Sequence, residues 1–326
     1  MADVKSGESV CVTGGTGFLA TTLITNLLRN GYSVNTTIRY RESKTDLIRD
    51  LRNIPGASDR LRIFEADLRK PEDFAPAVAG CAGVFHVAHP MGGGEDEKKT
   101  AVGGVLGILE ACVAAGTVRR FVYTGSATAV VFGGGDSDKV DEESWTDFEH
   151  VRSLGLGGAG ESYAVIKTVA ERAALEFGER RGMDVVTVVP TWVLGPFAGR
   201  RCPYSVQTAL SLILGNEESY RLIGRTSFVH VEDVARAHVH LFEHPNARGR
   251  YICSSVDITL DTLAQFMSTR YPQYKLPNPN SWKNIIPVEK SVLSSKKLLE
   301  TGFEYQHGLQ EMFDEIIHQC QEIGYL

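Results

Sequence analysis

Tyr163 and Lys167 stand four residues apart in Tyr163-Ala-Val-Ile-Lys167, a spacing that one turn of helix stacks side by side. A phenol beside an ammonium suits hydride chemistry. A carbonyl that accepts hydride develops alkoxide charge and needs a proton, and a nearby cation favours the phenolate left behind. Free tyrosine titrates near ~10, and a fall of about three units corresponds to ~4 kcal/mol, which only close, partly desolvated charges supply. The spacing alone is weak, because a chain with eleven tyrosines yields roughly one such pair by chance. Two others occur here. Tyr40 and Lys44 follow directly on an expected strand and read as loop, and Tyr271 and Lys275 enclose Pro272, which disfavours a helical turn. After Tyr163, Ile166, Ala170, Ala173, Ala174 and Phe177 recur at helical spacing. Ser126 follows another expected strand and offers a hydroxyl to polarise the reacting oxygen, with Thr124 and Thr128 as neighbouring alternatives.

A nicotinamide must reach that phenol. Thr13-Gly14-Gly15-Thr16-Gly17-Phe18-Leu19-Ala20 lies between an expected strand and an expected helix. Its small residues let the backbone approach a pyrophosphate at the positive end of the helix. A bare Gly-x-x-Gly also fits an ordinary turn, but the flanking elements favour dinucleotide binding, with Thr16, Phe18 and Leu19 as further contacts. At the end of the second strand, where an NAD-selective fold carries an acidic residue, stand Arg39, Arg41 and Lys44. They suit a 2'-phosphate, so NADP(H) is the expected cofactor and NAD(H) a possible one; exposed arginines after a strand are also ordinary solvated residues. Asp67, past the third strand, fits either an adenine contact or a turn or helix cap. Leu68, Val87 and Ala88 continue the expected cofactor contacts. Pro190 and Val193 fit a hold on the nicotinamide amide, and a proline there equally ends a strand.

The elements that must position these groups alternate. Strands are expected at 9–13, 33–39, 61–66, 83–88, 120–124 and 184–190, and helices at 18–30, 44–53, 71–79, 96–115 and 162–181. This is the pattern of an α/β, Rossmann-type doubly wound parallel sheet. After Pro190 the alternation fails, apart from helical stretches at 204–214 and 260–270 and a strand-then-helix run at 227–238. The expected organisation is a dinucleotide-binding domain over 1–190, returning at roughly 226–252, with a smaller, discontinuous α/β substrate lobe from 191–225 and 253–326. Pocket candidates are His89, Val131, Phe132, Trp192, Phe197 and Tyr204, of which at least half would ordinarily be core. His86 and His89 fit a pocket border or a structural role.

Composition narrows the class. With 326 residues, 43% of them hydrophobic, the chain can bury a large core. A net charge of −6 without a basic run argues against nucleic acid. The first residues lack a signal-peptide core and no run reaches the ~18 apolar residues of a membrane span, so a cytoplasmic protein acting on a small molecule is expected, as a monomer or weak homodimer. Six scattered cysteines without Cys-x-x-Cys read as reduced core residues. His238, His240 and His244 lack the companions of a metal site, and none is expected.

Gly14-x-x-Gly17-x-x-Ala20, Ser126 and Tyr163-x-x-x-Lys167 together resemble the extended short-chain dehydrogenase/reductases. Gly31-Tyr-Ser-Val-Asn-Thr-Thr-Ile-Arg39, Gly195-Pro-Phe and Val229-His-Val-Glu-Asp-Val-Ala-Arg-Ala-His238 are similar to the plant dihydroflavonol reductase-like group, over nearly the whole chain. The resemblance implies a Ser126, Tyr163 and Lys167 catalytic set, with Lys167 also holding the cofactor ribose. Three departures bear on substrate and relay. Val131 stands where dihydroflavonol reductases carry Asn or Asp, Glu161-Ser-Tyr163-Ala differs from the cinnamoyl-CoA reductase signature, and Gly107 takes the position of a helix Asn found in many members. The implied activity is NADPH-dependent reduction of a carbonyl on an aromatic or polycyclic plant metabolite. Oxidation of an alcohol or cyclic hemiacetal is the same site run backwards, and a non-catalytic NADP sensor is the reading from another class.

Overall fold

A computed structural model describes residues 7–39, 45–90, 95–133, 139–283 and 292–326. Strands β1 (Ser9–Thr13), β2 (Ser33–Ile38), β3 (Leu61–Glu65), β4 (Gly83–His86) and β5 (Arg120–Thr124) come first, and β6 (Lys139–Val140) is a short pairing segment. They are followed by β7 (Val185–Pro190), β8 (Trp192–Leu194), β9 (Arg225–His230), β10 (Gly249–Cys253), β11 (Val256–Thr259) and β12 (Val292–Leu293). Seven of them form one parallel sheet in the order β10-β7-β5-β4-β1-β2-β3. The strand order reverses beside β1, so a crevice opens at the carboxyl ends of β1 and β4. All six residues of β7 are buried, as expected for a strand covered on both faces.

The helices α1 (Phe18–Arg29), α2 (Glu95–Ala115), α3 (Gly157–Arg181) and α4 (Val231–Glu243) cover the sheet. On one face α1 and α4 bury Leu23, Leu27, Val234 and Leu241 against Val10, Phe85 and Val186. On the other, α2 and α3 bury Val105, Ile108, Ala170 and Phe177 against Val84 and Phe121. Gly182, left-handed at φ 68°, closes α3 by donating to the Gly178 carbonyl. A second core lies beyond β7, where α5 (Leu309–Glu322) packs Phe313 edge-on against Phe228 at 5.8 Å. Asp233, fully buried on α4, ties the two together by accepting from Arg236 and from the backbone of Gln306 and His307.

Several expected elements are placed differently. The strand within 227–238 joins a separate three-stranded sheet, β11-β9-β8, while only its helix α4 packs on the main sheet. The chain returns to the main sheet later, as β10 beside β7. Helix α3 begins five residues before the expected 162. The expected 204–214 helix breaks into Tyr204–Ala209 and Ser211–Leu214. The strand expected to run to 88 stops at His86 because the next two backbone N–H groups turn to the Thr13 hydroxyl. All six cysteines are buried thiols, and among the described residues no helix is long and apolar enough to cross a membrane.

Candidate active site

Thr13, the last residue of β1, organises the sheet's carboxyl edge. Its hydroxyl accepts from Val87 N (3.1 Å) and Ala88 N (3.0 Å), which leaves its proton for His86 Nδ1 at 2.9 Å. His86 is buried and its pKa is pushed down to about 3, first by desolvation and then by Lys167, so it is neutral and structural. The turned chain brings Ala88 against Gly14, where a Cβ would lie 3.1 Å from the Ala88 Cα and φ is 75°. At Gly15 a Cβ would fall 2.2 Å from the Thr36 hydroxyl, itself bonded to the Val12 carbonyl at 2.8 Å. We expect Gly15→Ala to cost about 2 kcal/mol in a urea melt, and Thr36→Ala in the same chain to return part of it. No side chain caps α1, whose first residues follow Gly17 directly. An uncapped helix N-terminus reached by close-packed glycines fits a dinucleotide pyrophosphate.

Around this loop the expected cofactor contacts separate. Leu19 is buried in the core, and Phe18 packs edge-on against Phe197 at 6.3 Å. Leu68 lies against Gly104 on α2, Val87 packs on the core beside β1, and Pro190 ends β7 paired with Cys253. The Val193 carbonyl is taken by the Ser205 hydroxyl at 2.6 Å. Arg39 is exposed at the end of β2 and Lys44 lies outside the described residues. Of the two roles open to Asp67, the structure shows the turn: it accepts from Arg69 N at 3.0 Å and pairs with the Arg69 guanidinium at 2.5 Å. That pairing holds its pKa down at about 2, with Arg39 adding a smaller effect of the same sign.

At the end of β5, Lys167 donates to the Thr124 carbonyl at 3.0 Å and lies 5.6 Å over the Tyr123 ring. Thr124 is removed from contention as the catalytic hydroxyl. His238 Nδ1 faces the Val234 carbonyl at 2.8 Å and must donate to it, so its Nε2 accepts the Thr124 proton, also at 2.8 Å. Ser126 Oγ accepts from Thr128 Oγ1 at 3.0 Å and from Thr128 N at 3.3 Å, so its own proton donates, toward the Tyr163 oxygen in the protein alone. Tyr163 is 38% exposed. Burial raises its pKa and hydrogen bonding with Ser126 opposes the rise, while Lys167 falls to about 8 through desolvation, opposed by Glu171. The expected fall of the Tyr163 pKa is therefore not found in the protein alone; the phenol is firmly protonated at neutral pH.

His89 sets its ring edge-on to Tyr163 at 5.4 Å, with its pKa pushed down to about 2 by desolvation and then by Lys167. Trp192 and the 63%-exposed Tyr204 lie 6.1 Å apart. The other pocket candidates present almost no open surface. Val131 and Phe132 are buried with Val151 and Ala164, and Phe197 is buried with its carbonyl and N–H both held by Gln319. Gly107 could not be asparagine in this packing, since its Cβ would fall 2.1 Å from Pro71. Tyr271, the rival tyrosine, donates to Asp314 at 2.7 Å. A cavity of about 420 Å³ lined by Thr45, Ile48, Arg49 and Ile63 contains none of these groups. Sequence reasoning missed Thr13, Glu171 and Arg250, whose partners are all distant in the chain.

The chain belongs to the NAD dependent epimerase/dehydratase family, which matches residues 10–253, and it is an NAD(P)-dependent oxidoreductase of the extended short-chain type. Vestitone reductase of Medicago sativa is 45% identical over 324 residues, covering 97% of this chain and 98% of that protein. The crystal structure of the alfalfa enzyme aligns with a TM-score of 0.86 over 98% of this chain and 99% of its own. Dihydroflavonol 4-reductase of Arabidopsis thaliana is 41% identical, covering 99% of this chain and 85% of that protein. The yeast methylglyoxal/isovaleraldehyde reductase complexed with NADPH shares the fold at 23% identity, with a TM-score of 0.79 over 98% of this chain and 100% of its own. The chain is thus a reductase of the vestitone reductase and dihydroflavonol reductase type.

Proposed function

We propose that this enzyme uses NADPH to reduce a ketone or aldehyde on an aromatic or polycyclic plant metabolite, with Tyr163 as proton donor. The observation that carries the reading is the convergence of Ser126, Tyr163 and Lys167 at the carboxyl end of β5, on the same sheet edge as the uncapped start of α1 after β1. Gly14, Thr16 and Gly17 would hold the pyrophosphate, Arg39 the 2'-phosphate and Lys167 the nicotinamide ribose. The cofactor, when bound, supplies the hydride. Ser126 turns its proton to the substrate oxygen as a hydrogen bond, and Tyr163 passes its phenolic proton to the same oxygen as negative charge gathers there. Lys167, charged below pH 8, stabilises the phenolate that results. His89, neutral at that pH, and the Trp192 and Tyr204 rings border the substrate.

In the protein alone the phenol is protonated, the form that reduction uses; oxidation of an alcohol or hemiacetal is the same site run backwards, and substrate thermodynamics and the cofactor ratio set the direction. The test is a screen of carbonyl and alcohol metabolites followed at the nicotinamide absorbance. Carbonyls should consume NADPH near pH 7, and a chain that turns over only alcohols, and only at alkaline pH, would reverse the assignment. For Arg39→Ser we expect the KM for NADPH to rise about tenfold or more while that for NADH stays within twofold, because one guanidinium–phosphate pair is lost. Equal effects on the two cofactors would remove Arg39 from the 2'-phosphate site.

A further inference from the structure

Glu171 lies one helical turn beyond Lys167 on α3 and is fully buried. Its Oε1 accepts from the Thr187 hydroxyl at 2.7 Å and from Arg250 Nε at 2.9 Å. Its Oε2 has no hydrogen-bond partner and sits against the backbone of Gly125, where a Cβ would come within 3.0 Å of it. Gly125 joins Thr124, whose carbonyl takes the Lys167 ammonium, to Ser126. Arg250 is itself fixed from the far side. It donates to the carbonyls of Glu142 and Ser144 and lies 3.6 Å over the Trp145 ring. A carboxylate kept only as Arg250's counter-ion would use its remaining lone pairs elsewhere in that network. Instead the unpartnered oxygen faces the turn that carries Ser126 and, through the Thr124 carbonyl, anchors Lys167, and a buried charge left half-satisfied is costly.

We propose that Glu171 is a positioning residue for the reduction: its buried carboxylate holds Lys167 as an ammonium and braces the Gly125 turn that presents Ser126. The charged and titratable groups around Lys167 are Glu171 one turn on along its own helix, with Tyr163 one turn before it, Tyr123 on β5, His86 at the end of β4 and His89 just past it. Both histidines are neutral at pH 7, so Glu171 is the negative charge that opposes the desolvation of Lys167.

The proposal rests on the site reading above, and its test is chosen to be separable from it. Lys167 is titrated directly by NMR in full-length, ¹³C-lysine-labelled protein, with its signal assigned from Lys167→Arg. In Glu171→Gln the Lys167 pKa should fall by at least about half a unit, and in Glu171→Asp it should return most of the way. The alkaline limb of NADPH-dependent turnover should move down with it. If Glu171→Gln fails to fold, Glu171→Gln with Arg250→Met removes the buried pair together and should show the same fall. A Lys167 pKa that ignores both variants overturns the role of Glu171 even where Tyr163 proves essential. A Tyr163→Phe enzyme with full turnover overturns the site reading, whatever Lys167 does.

Discussion

Tyr163→Phe should lower kcat for carbonyl reduction about a thousandfold, or ~4 kcal/mol in the barrier, while NADPH affinity stays within about twofold. The expectation follows from what the substitution leaves in place. Phenylalanine keeps the ring, hence the edge-on contact with His89 and the crevice wall, and Lys167 keeps its bond to Thr124. Only the hydroxyl goes, and with it the phenolic proton held at neutral pH beside Ser126. Steady-state kinetics and a fluorescence titration of NADPH separate the outcomes. Loss of both turnover and binding would make the phenol structural, and retained turnover would make another group the acid. The pH profile adds a signature. Reduction should hold through neutrality and decline as pH rises past about 8, where Lys167 loses its charge and the phenolate its stabilising neighbour.

How much of this was legible in the chain depended on the range of the interactions. Val185–Pro190 is a run of β-branched residues ended by proline, and it forms a strand buried on both faces because such a run has no polar face to expose. The Gly14 loop and the helix around Tyr163 are equally local and were readable. The pairing of Arg225–His230 was not. Nothing in its own residues names a partner, and its sheet was decided by Trp192–Leu194 on one side and Val256–Thr259 on the other. The early start of α3 at Gly157 runs against the low helix propensity of its glycines. The end of β4 is fixed by a hydroxyl 74 residues away, whereas the turn that Asp67 makes with Arg69 spans only two residues and matches the local reading. The partnership of Glu171 with Arg250 spans 79 residues. Neither residue carries a motif, so the second layer of the site became visible only with the fold.

Lys167→Met should separate function from stability by moving them in opposite directions. Turnover should fall about a hundredfold or more, since the cation proposed to support the phenolate and hold the ribose is gone. Stability at pH 7 should rise. Lys167 is 5% exposed, and burial holds its pKa at about 8 against an ordinary 10.5. Below pH 8 the folded and unfolded chains both bind this proton, and the fold bears the full cost of the buried charge, about 3 kcal/mol for such a shift. Methionine removes that cost and gives up one charged hydrogen bond to the buried Thr124 carbonyl, worth about 2 kcal/mol, for a net gain on the order of 1 kcal/mol and a Tm higher by a few degrees. Between pH 8 and 10.5 the unfolded chain holds the proton more tightly than the folded one, so the wild type gains stability as pH rises and the gap between the two proteins should shrink. Melts of both proteins at pH 7 and pH 10 measure it. A variant that melts lower at pH 7, or a gap that ignores pH, would mean that Lys167 is not a charge held against its surroundings for the sake of the reaction.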